Sequence, residues 1–440
     1  MKIMKFGGTS VGRPERMQQV CDLITKTEEP VITVLSALSG TTNALVSIGE
    51  AMAAGNRAAA KENIDKLEAH YRAFIKDLLK KENTLAKAEN IVSEHFEFLN
   101  IILKISFSEA LSKDILAQGE LLSTKLFSTF LEEKNVDHVL LPALEFMSID
   151  ADDEPQVPHI KSRLTALLNR YSNKKLFVTQ GYICRNFRGE VDNLKRGGSD
   201  YSASLIAAAV NASVCEIWTD IDGMHNNDPR IVKTTRPVEQ LSFEEAAELA
   251  YFGAKILHPA SIWPAQFYKV PVKLLNTMEP SAAGTTIAEE AGSVGVKAVA
   301  AKDGIISINI KSSRMLLAYG FLRKIFEVFE KYKTSIDMIT TSEVAVSVTI
   351  DNKININEIV KELEPFGTIS VESDHSIISV VGNEIGQTRQ ILKNLFDSLA
   401  GVNIRMVSYG GSKHNISLLV SSADKIRTLQ LLNKGLFGLD

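Results

Sequence analysis

An α/β fold with a mainly parallel sheet, followed by a duplicated smaller α/β module, is what the sequence predicts. Three observations carry that reading. Short apolar runs alternate with helical patterns through the first two-thirds of the chain, and strands interleaved with helices imply parallel pairing with ligands at the strand carboxyl ends. The texture changes after TMEPSAAGTTIAEE, where residues 281–297 are small, glycine-rich and expected to be a linker. Beyond it, the stripe Phe321, Leu322, Ile325, Phe326 and Phe329 returns seventy positions on as Ile391, Leu392, Leu395, Phe396 and Leu399.

The elements follow in order. MKIMKF, PVITVLSAL, HVLLPAL, KLFVTQGYI, VCEIWTD and VPVKLLN read as buried strands, each bounded by Gly, Pro, Asn or charge. The first helix has Pro14 near its first turn and repeats Met17, Val20, Cys21 and Ile24 on one face. Residues 45–135 are long, charged stretches with few breakers, and predict helices. In the tail, each stripe follows a strand (IISI at 305–308, IISV at 377–380) and precedes another (SIDMI at 335–339, NIRMV at 403–407). Two copies of a β-α-β-containing unit behind an enzyme-like domain suit regulation; two halves of one further domain is the other reading.

Bulk properties narrow the class. The 440 residues allow about three domains at roughly 150 residues each. A 45% hydrophobic, 23% charged composition is that of a globular protein with a sizeable core. A formal net charge of −4 gives no reason to expect nucleic acid or an anionic membrane as partner. Cys21, Cys184 and Cys215 are odd in number and far apart, which fits a reducing compartment rather than a disulfide framework. MKIMKFGG is too short and too quickly interrupted for a signal peptide, and no apolar run approaches a membrane span of roughly 18 residues. A cytoplasmic protein is the expectation.

Four segments carry most of the chemistry. KFGGTSVG, residues 5–12, falls one step short of a P-loop: Arg13-Pro14 stand where Lys and Ser/Thr belong, and Lys5 lies upstream. A lysine ending a strand, then two glycines, Thr9 and Ser10, presents N–H groups and one fixed cation to an anion. Alone it would equally read as a turn with a solvated lysine. LSALSGTTN, residues 35–43, repeats that layout, with Ser36, Ser39, Thr41, Thr42 and Asn43 as donors and Gly40 admitting close approach. In LKRGGSDYSASLIAAAV, Gly197-Gly198 lead into a helix expected to be capped by Ser199 or Asp200. Lys195 and Arg196 put two cations beside its amino terminus. In EIWTDIDGMHNNDPR, a strand ends in Thr219-Asp220 and a turn-rich segment closes on Asp228-Pro229-Arg230, natural partners for ribose hydroxyls and phosphates. FGAKILHP adds Lys255 in a helix ending at Pro259.

Those segments, with QGE at 118–120 and GYICRNFRGEVDNLKRGGSDYSA, stand in the order and spacing of the aspartate kinases, members of the amino-acid kinase superfamily. SIDMITTSEVAVSV and NIRMVSYGGSKHNI resemble the two ACT modules that follow in those enzymes. The resemblance covers essentially the whole chain, which is similar to the lysine-sensitive type. It implies an amino-acid kinase fold over residues 1–288 and ferredoxin-like βαββαβ ACT modules over 298–374 and 375–440, with strands open to exchange between the modules. No fused homoserine dehydrogenase is expected. The implied reaction moves the γ-phosphoryl group of ATP to the side-chain carboxylate of L-aspartate, the first step towards lysine, threonine and methionine.

That nucleophile is already ionised at pH 7, so the lack of a Ser/His/Asp or Cys/His arrangement counts for nothing against it. The difficulty is electrostatic. At about 4 Å two unit charges repel by roughly 4 kcal/mol even at an effective dielectric near 20. Fixed cations, backbone donors and Mg²⁺ must offset that. The resemblance makes Lys5 and Asp200 the catalytic pair. It assigns Thr42, Glu120, Arg196, Gly197, Gly198 and Ser199 to aspartate, Glu120 taking the ammonium and Arg196 clamping the α-carboxylate. Lys5, Phe6, Gly7, Gly8, Thr9 and Ser36 would face the nucleotide, joined by Thr219, Asp220, His225, Arg230, Lys255 and Ile256. His225 stands where many relatives have tyrosine. ATP and Mg²⁺ are implied, with no side chain assigned to the metal.

The implied effector segment runs through Met315, Ala318, Gly320, Phe321 and Leu322 to Ile336, Asp337, Thr341, Ser342 and Glu343. Its two carboxylates suit a cationic amino acid such as lysine. Lysine-sensitive relatives often carry serine where this chain has Ala318, so a weakened site, one retuned towards threonine, and a silent one are the alternatives. Implied partners are L-aspartate, that regulatory amino acid, and a second copy joined through the ACT modules as a homodimer, with a tetramer as the larger assembly. Another amino-acid kinase is not expected to combine RGGSD, a WTDIDG…DPR turn and a duplicated ACT tail. An idle amino-acid sensor would not need Lys5, Glu120, Arg196 and Asp200 together. A Rossmann dehydrogenase fails because no G-x-G-x-x-G opens a helix.

Overall fold

The computed structural model describes residues 1–195, 197–253, 257–290, 292–315 and 319–440. The chain divides into two compact units, Met1–Gly223 with Leu257–Glu289, and Met224–Ile256 with Glu290–Asp440.

In the first unit the strands lie in the order Val139–Leu141, Leu176–Gln180, Val31–Leu35, Lys2–Phe6, Cys215–Thr219 and Val272–Asn276, each neighbouring pair parallel. The expected α/β class is the one observed. Val31–Leu35 and Leu176–Gln180 are buried throughout, as parallel strands between helical layers require. Lys2–Phe6 pairs with Val31–Leu35 on one side and Cys215–Thr219 on the other. The strand order therefore reverses there, where crevices open at strand carboxyl ends. The KFGG, LSALSG and Thr219-Asp220 turns all leave from that end.

Helices Thr41–Ala53, Arg57–Leu78, Glu82–Ile102 and Glu109–Glu133 fill the stretch read as helical. Asn56 and Ser108 cap two of them, accepting the N–H groups of Ala59 and Leu111. Pro14–Thr25 buries Met17, Val20, Cys21 and Ile24, the face its spacing predicts.

In the second unit the order is Ile339–Thr341, Ala345–Ile350, Gly295–Lys311, Thr368–Asn383, Asn415–Ser421 and Ile404–Ser408, all antiparallel. The two long central strands pair with each other, so both sequence repeats share one sheet. Phe321–Lys331 and Ile356–Leu363 cover one half through Ile308, Ile325, Phe329, Val348 and Ile359. Arg389–Ser398 and Lys425–Phe437 cover the other through Ile378, Leu395, Leu418 and Leu432.

Four segments differ from their sequence reading. HVLLPAL is a strand only to Leu141, because Pro142, which has no N–H for a ladder, opens helix Ala143–Phe146. The expected linker 281–297 contains strand Thr285–Ala288, paired antiparallel with Val272–Asn276, and the start of the long strand at Gly295. SIDMI contributes only Ile339 to a strand. Upstream, Asp337 N–H donates to the Thr349 carbonyl and Met338 N–H to the Thr349 hydroxyl, each at 2.9 Å. The helix after Gly197-Gly198 is not capped by Ser199 or Asp200: its N-cap is Gly197, with φ 66°, and both residues lie in the first turn. No described helix is long and apolar enough to cross a membrane.

Candidate active site

At the carboxyl end of the sheet the KFGG turn and helix Glu109–Glu133 both bear on Ala37. Gly7 N–H donates to the Trp218 carbonyl at 3.3 Å and Ser36 N–H to the Phe6 carbonyl at 3.2 Å, tying three adjacent strand ends together. Gly7 then caps a four-residue helix, Gly8–Val11, so KFGGTSVG is a turn closed by helix rather than a plain bend. A Cβ on Gly8 would stand 2.9 Å from the Ala37 carbonyl oxygen. From below comes helix Glu109–Glu133, with Gly119 in its interior at a cost of about 1 kcal/mol. A Cβ there would lie 2.8 Å from the Ala37 Cβ. The next residue, Glu120, accepts the Ala37 N–H at 3.2 Å.

Gly119→Ala is therefore expected to cost about 1–3 kcal/mol by overpacking, offset in part by the gain of about 1 kcal/mol in helix propensity. It should also shift Glu120, raising KM for the acceptor more than KM for the nucleotide. Thermal unfolding with steady-state kinetics checks both.

Lys5, one residue before the end of its strand, is 8% exposed, its ammonium 2.6 Å from Asp200 Oδ1. Asp200 reaches it from the first turn of helix Gly198–Val210, where the positive end of the helix favours a carboxylate. Gly197 and Gly198 both have positive φ, 66° and 51°, which side-chain-bearing residues adopt only with strain. Ser199 beside them is buried.

Glu120 is almost fully buried. Burial pushes its carboxyl up to about 7, and the Ala37 N–H only partly offsets this. Behind it, Lys125 donates to His95 Nε2 at 2.8 Å and His95 Nδ1 donates to Gln118 Oε1 at 2.6 Å. Burial, then the Lys125 charge, holds His95 down at about 4, so the imidazole is neutral at pH 7. Tyr182 shares the Glu120 environment: burial, then the Glu120 charge, pushes its phenol up to about 12. Its φ of 64° is unusual for a bulky residue.

Sequence reasoning missed Ala37 and Tyr182. Ala37 is the apolar residue in a polar loop, and its packing partners lie far off in the chain. Tyr182 sits inside the quoted GYICRN segment, but nothing local marks a positive φ.

The remaining predicted residues are distributed as follows. Ser36 is half-buried and its carbonyl accepts the Ser123 hydroxyl at 2.8 Å. Thr42 is exposed in the first turn of helix Thr41–Ala53. The Thr9 carbonyl accepts from Arg16, and the Thr219 hydroxyl donates to Asp220 at 3.1 Å. His225 and Arg230 belong to the second unit. There His225 Nδ1 is 2.8 Å from the Thr235 hydroxyl, and the exposed Arg230 guanidinium makes a two-pronged pair with Asp228 at 2.7 and 2.9 Å. Arg196, Lys255, Ile256 and Ala318 lie outside the described residues.

In the effector segment, Gly320, with φ 76°, caps the helix that buries Phe321. Met315 and Leu322 pack at the edge of that core, as does Ile336. The Asp337 carboxylate is buried and already engaged. It accepts the Tyr251 hydroxyl at 2.6 Å and the Lys302 ammonium at 2.7 Å. Thr341, Ser342 and Glu343 are exposed. The two carboxylates read as a cation site thus differ: Asp337 holds an internal lysine, and Glu343 faces solvent.

The amino acid kinase family matches residues 1–276 and an ACT domain matches residues 378–436. Lysine-sensitive aspartokinase 3 of Escherichia coli K12 is 32% identical over 449 residues, covering 99% of both chains. The structure of E. coli aspartokinase III in complex with aspartate and ADP, its R-state, superposes with a TM-score of 0.82 at 31% identity, covering 99% of this chain and 100% of that one. The same enzyme in complex with lysine and aspartate, its T-state, gives 0.81 at 30% identity, covering 99% of each. A family match over residues 1–276 and a relative 32% identical along its full length leave one conclusion: the chain belongs to the amino acid kinase family and, within it, to the aspartokinases.

Proposed function

We propose that the protein phosphorylates the side-chain carboxylate of L-aspartate with ATP, giving 4-phospho-L-aspartate, under feedback control by an end-product amino acid, lysine first. The observation that carries this reading is the Lys5–Asp200 pair at the sheet's switch point, a buried lysine 2.6 Å from a half-buried carboxylate. Phosphoryl transfer asks the protein mainly for positioning and charge neutralisation. Lys5 supplies a fixed cation whose place Asp200 sets. The N–H groups of Gly8 and Thr9, which open a helix, and those following Gly197 point donors at an anion without a bulky side chain in the way.

Glu120, ionised by the substrate's approach, takes the aspartate ammonium, and Arg196 the α-carboxylate, with Thr42 and Ser199 beside them. Thr219 and Asp220, with His225, Arg230, Lys255 and Ile256, serve the nucleotide. Mg²⁺, held chiefly by ATP's own phosphates, would supply further charge neutralisation. In E. coli aspartokinase III, aspartate, ADP and lysine are the bound molecules, which supports the same substrate, nucleotide and effector classes here. The proposed organisation is a catalytic part over residues 1–288 and regulatory modules over 298–374 and 375–440, in a cytoplasmic homodimer joined through those modules.

The test is ATP-dependent acyl-phosphate formation trapped as the hydroxamate, with L-aspartate against L-glutamate, each with and without millimolar lysine or threonine. Turnover with aspartate alone, suppressed by lysine, is the expected result. No turnover with aspartate from folded protein and Mg²⁺ would sink the proposal.

A further inference from the structure

The GMHNNDPR stretch contains two asparagines that the reaction does not use, and both are almost wholly buried within the second unit. Asn226 Nδ2 donates to Asn433 Oδ1 at 3.0 Å. Asn227 Nδ2 donates to the Leu429 carbonyl at 3.0 Å and reaches Asn433 Oδ1 at 3.5 Å. Asn433, only 1% exposed, lies on the last helix, Lys425–Phe437. Its own Nδ2 donates to the Thr234 carbonyl at 3.0 Å and the Leu439 carbonyl at 3.1 Å.

One side chain therefore grips both ends of the loop from Asn227 to Thr234, the loop that carries Asp228 and Arg230. The rest of the neck is equally fixed. Asn226 Oδ1 accepts the Arg236 N–H at 2.7 Å, and the Asn226 carbonyl accepts the Val299 N–H at 2.8 Å. Val232, inside the loop, packs in the apolar cluster of Leu429 and Leu432 on the same helix. A carboxamide is suited to this place because it offers two acceptor sites and two donors on one short stem. Aspartate there would turn oxygens towards the Thr234 and Leu439 carbonyls. A small residue would leave buried donors and acceptors without partners.

We infer that Asn433 is a positioning residue for nucleotide binding. From the carboxyl-terminal helix it sets the shape of the Asn227–Thr234 loop and so the direction in which Arg230 is presented. The inference rests on the proposed nucleotide role of that loop.

The experiment uses the full chain and compares wild type, Asn433→Asp, Asn433→Ser and Arg230→Ala by steady-state kinetics in ATP and in aspartate. Both Asn433 variants are expected to raise KM for ATP by about tenfold, the size of a lost buried hydrogen-bonded contact, and to leave KM for aspartate within about twofold. Unchanged KM for ATP, or a parallel rise in both KM values, in folded Asn433 variants would overturn the inference. Arg230→Ala separates the two ideas. If it too leaves KM for ATP unchanged, the nucleotide role of the loop is what fails. If it alone raises KM for ATP, only the role of Asn433 fails. Hydrogen exchange on the wild type needs no variant to fold. On adding ATP and Mg²⁺, amides of 227–234 and of 429–433 should gain protection together, and protection of the loop without the helix would count against Asn433.

Discussion

Lys5→Met is expected to lower kcat by about 10²–10³, the loss of about 3–4 kcal/mol typical of removing one preorganised charge-stabilising group from an active site. The reasoning starts from the nucleophile. A carboxylate at neutral pH needs no base, so chemistry depends on cancelling repulsion between it and the phosphates while holding them in line. Lys5 is a nearly buried cation at the strand end, where its charge is screened least. Methionine keeps the length and apolar stem but removes the charge, and it leaves Asp200 with its ion partner gone. Arginine is not expected to rescue. The ammonium already stands 3.5 Å from where a Cβ on Gly7 would be, and a planar fork is broader than a point-like ammonium. Release of ADP under saturating aspartate and ATP, with unfolding curves as control, checks the point. A kcat within tenfold of wild type would remove Lys5 from the chemistry.

How much of this was legible beforehand depends on where the determinants lie. The parallel sheet was readable because its strands are short apolar runs with sharp borders. Helix Pro14–Thr25 was readable because Met17, Val20, Cys21 and Ile24 keep a strict period. The duplicated tail showed itself as a repeat, and the structure places both stripes over one sheet. What failed was decided by partners distant in sequence. SIDMI joins the ladder regularly only at Ile339, because the Met338 N–H turns to the Thr349 hydroxyl while Asp337 N–H and the Met338 carbonyl both bond the Thr349 backbone, an irregular pairing set by a residue distant in sequence. Thr285–Ala288 looked like linker because its four residues gain strand character only beside Val272–Asn276. The same holds at the site. Lys5, Glu120 and Asp200 were named from motifs, whereas Ala37, on which Gly8, Gly119 and Glu120 all bear, is invisible until the turns are folded together.

Glu120→Gln is expected to make the protein more stable and a worse enzyme at the same pH. Burial raises the Glu120 carboxyl from 4.5 to about 7. A carboxyl whose folded pKa lies above its unfolded value favours the folded state most when protonated. That contribution is complete below about 4.5 and is lost as pH rises through about 7. At pH 8 the wild type therefore carries a buried carboxylate at a cost of about 3 kcal/mol, which glutamine avoids while still able to accept the Ala37 N–H through Oε1. For function the sign reverses. In the proposed site the ionised carboxylate meets the aspartate ammonium, a charge-assisted contact roughly twice as strong as a neutral one. Its loss is expected to lower kcat/KM for aspartate by about 10²-fold. The pH profile ties the two halves together. In the wild type, kcat/KM for aspartate should fall as pH drops below about 7, because the free enzyme then holds Glu120 protonated. In Glu120→Gln that limb should flatten. Denaturant unfolding at pH 5 and pH 8, beside the kinetic profile, reads every part. A variant no more stable at pH 8 would refute the burial argument, and an unchanged acid limb would move the ammonium site away from Glu120.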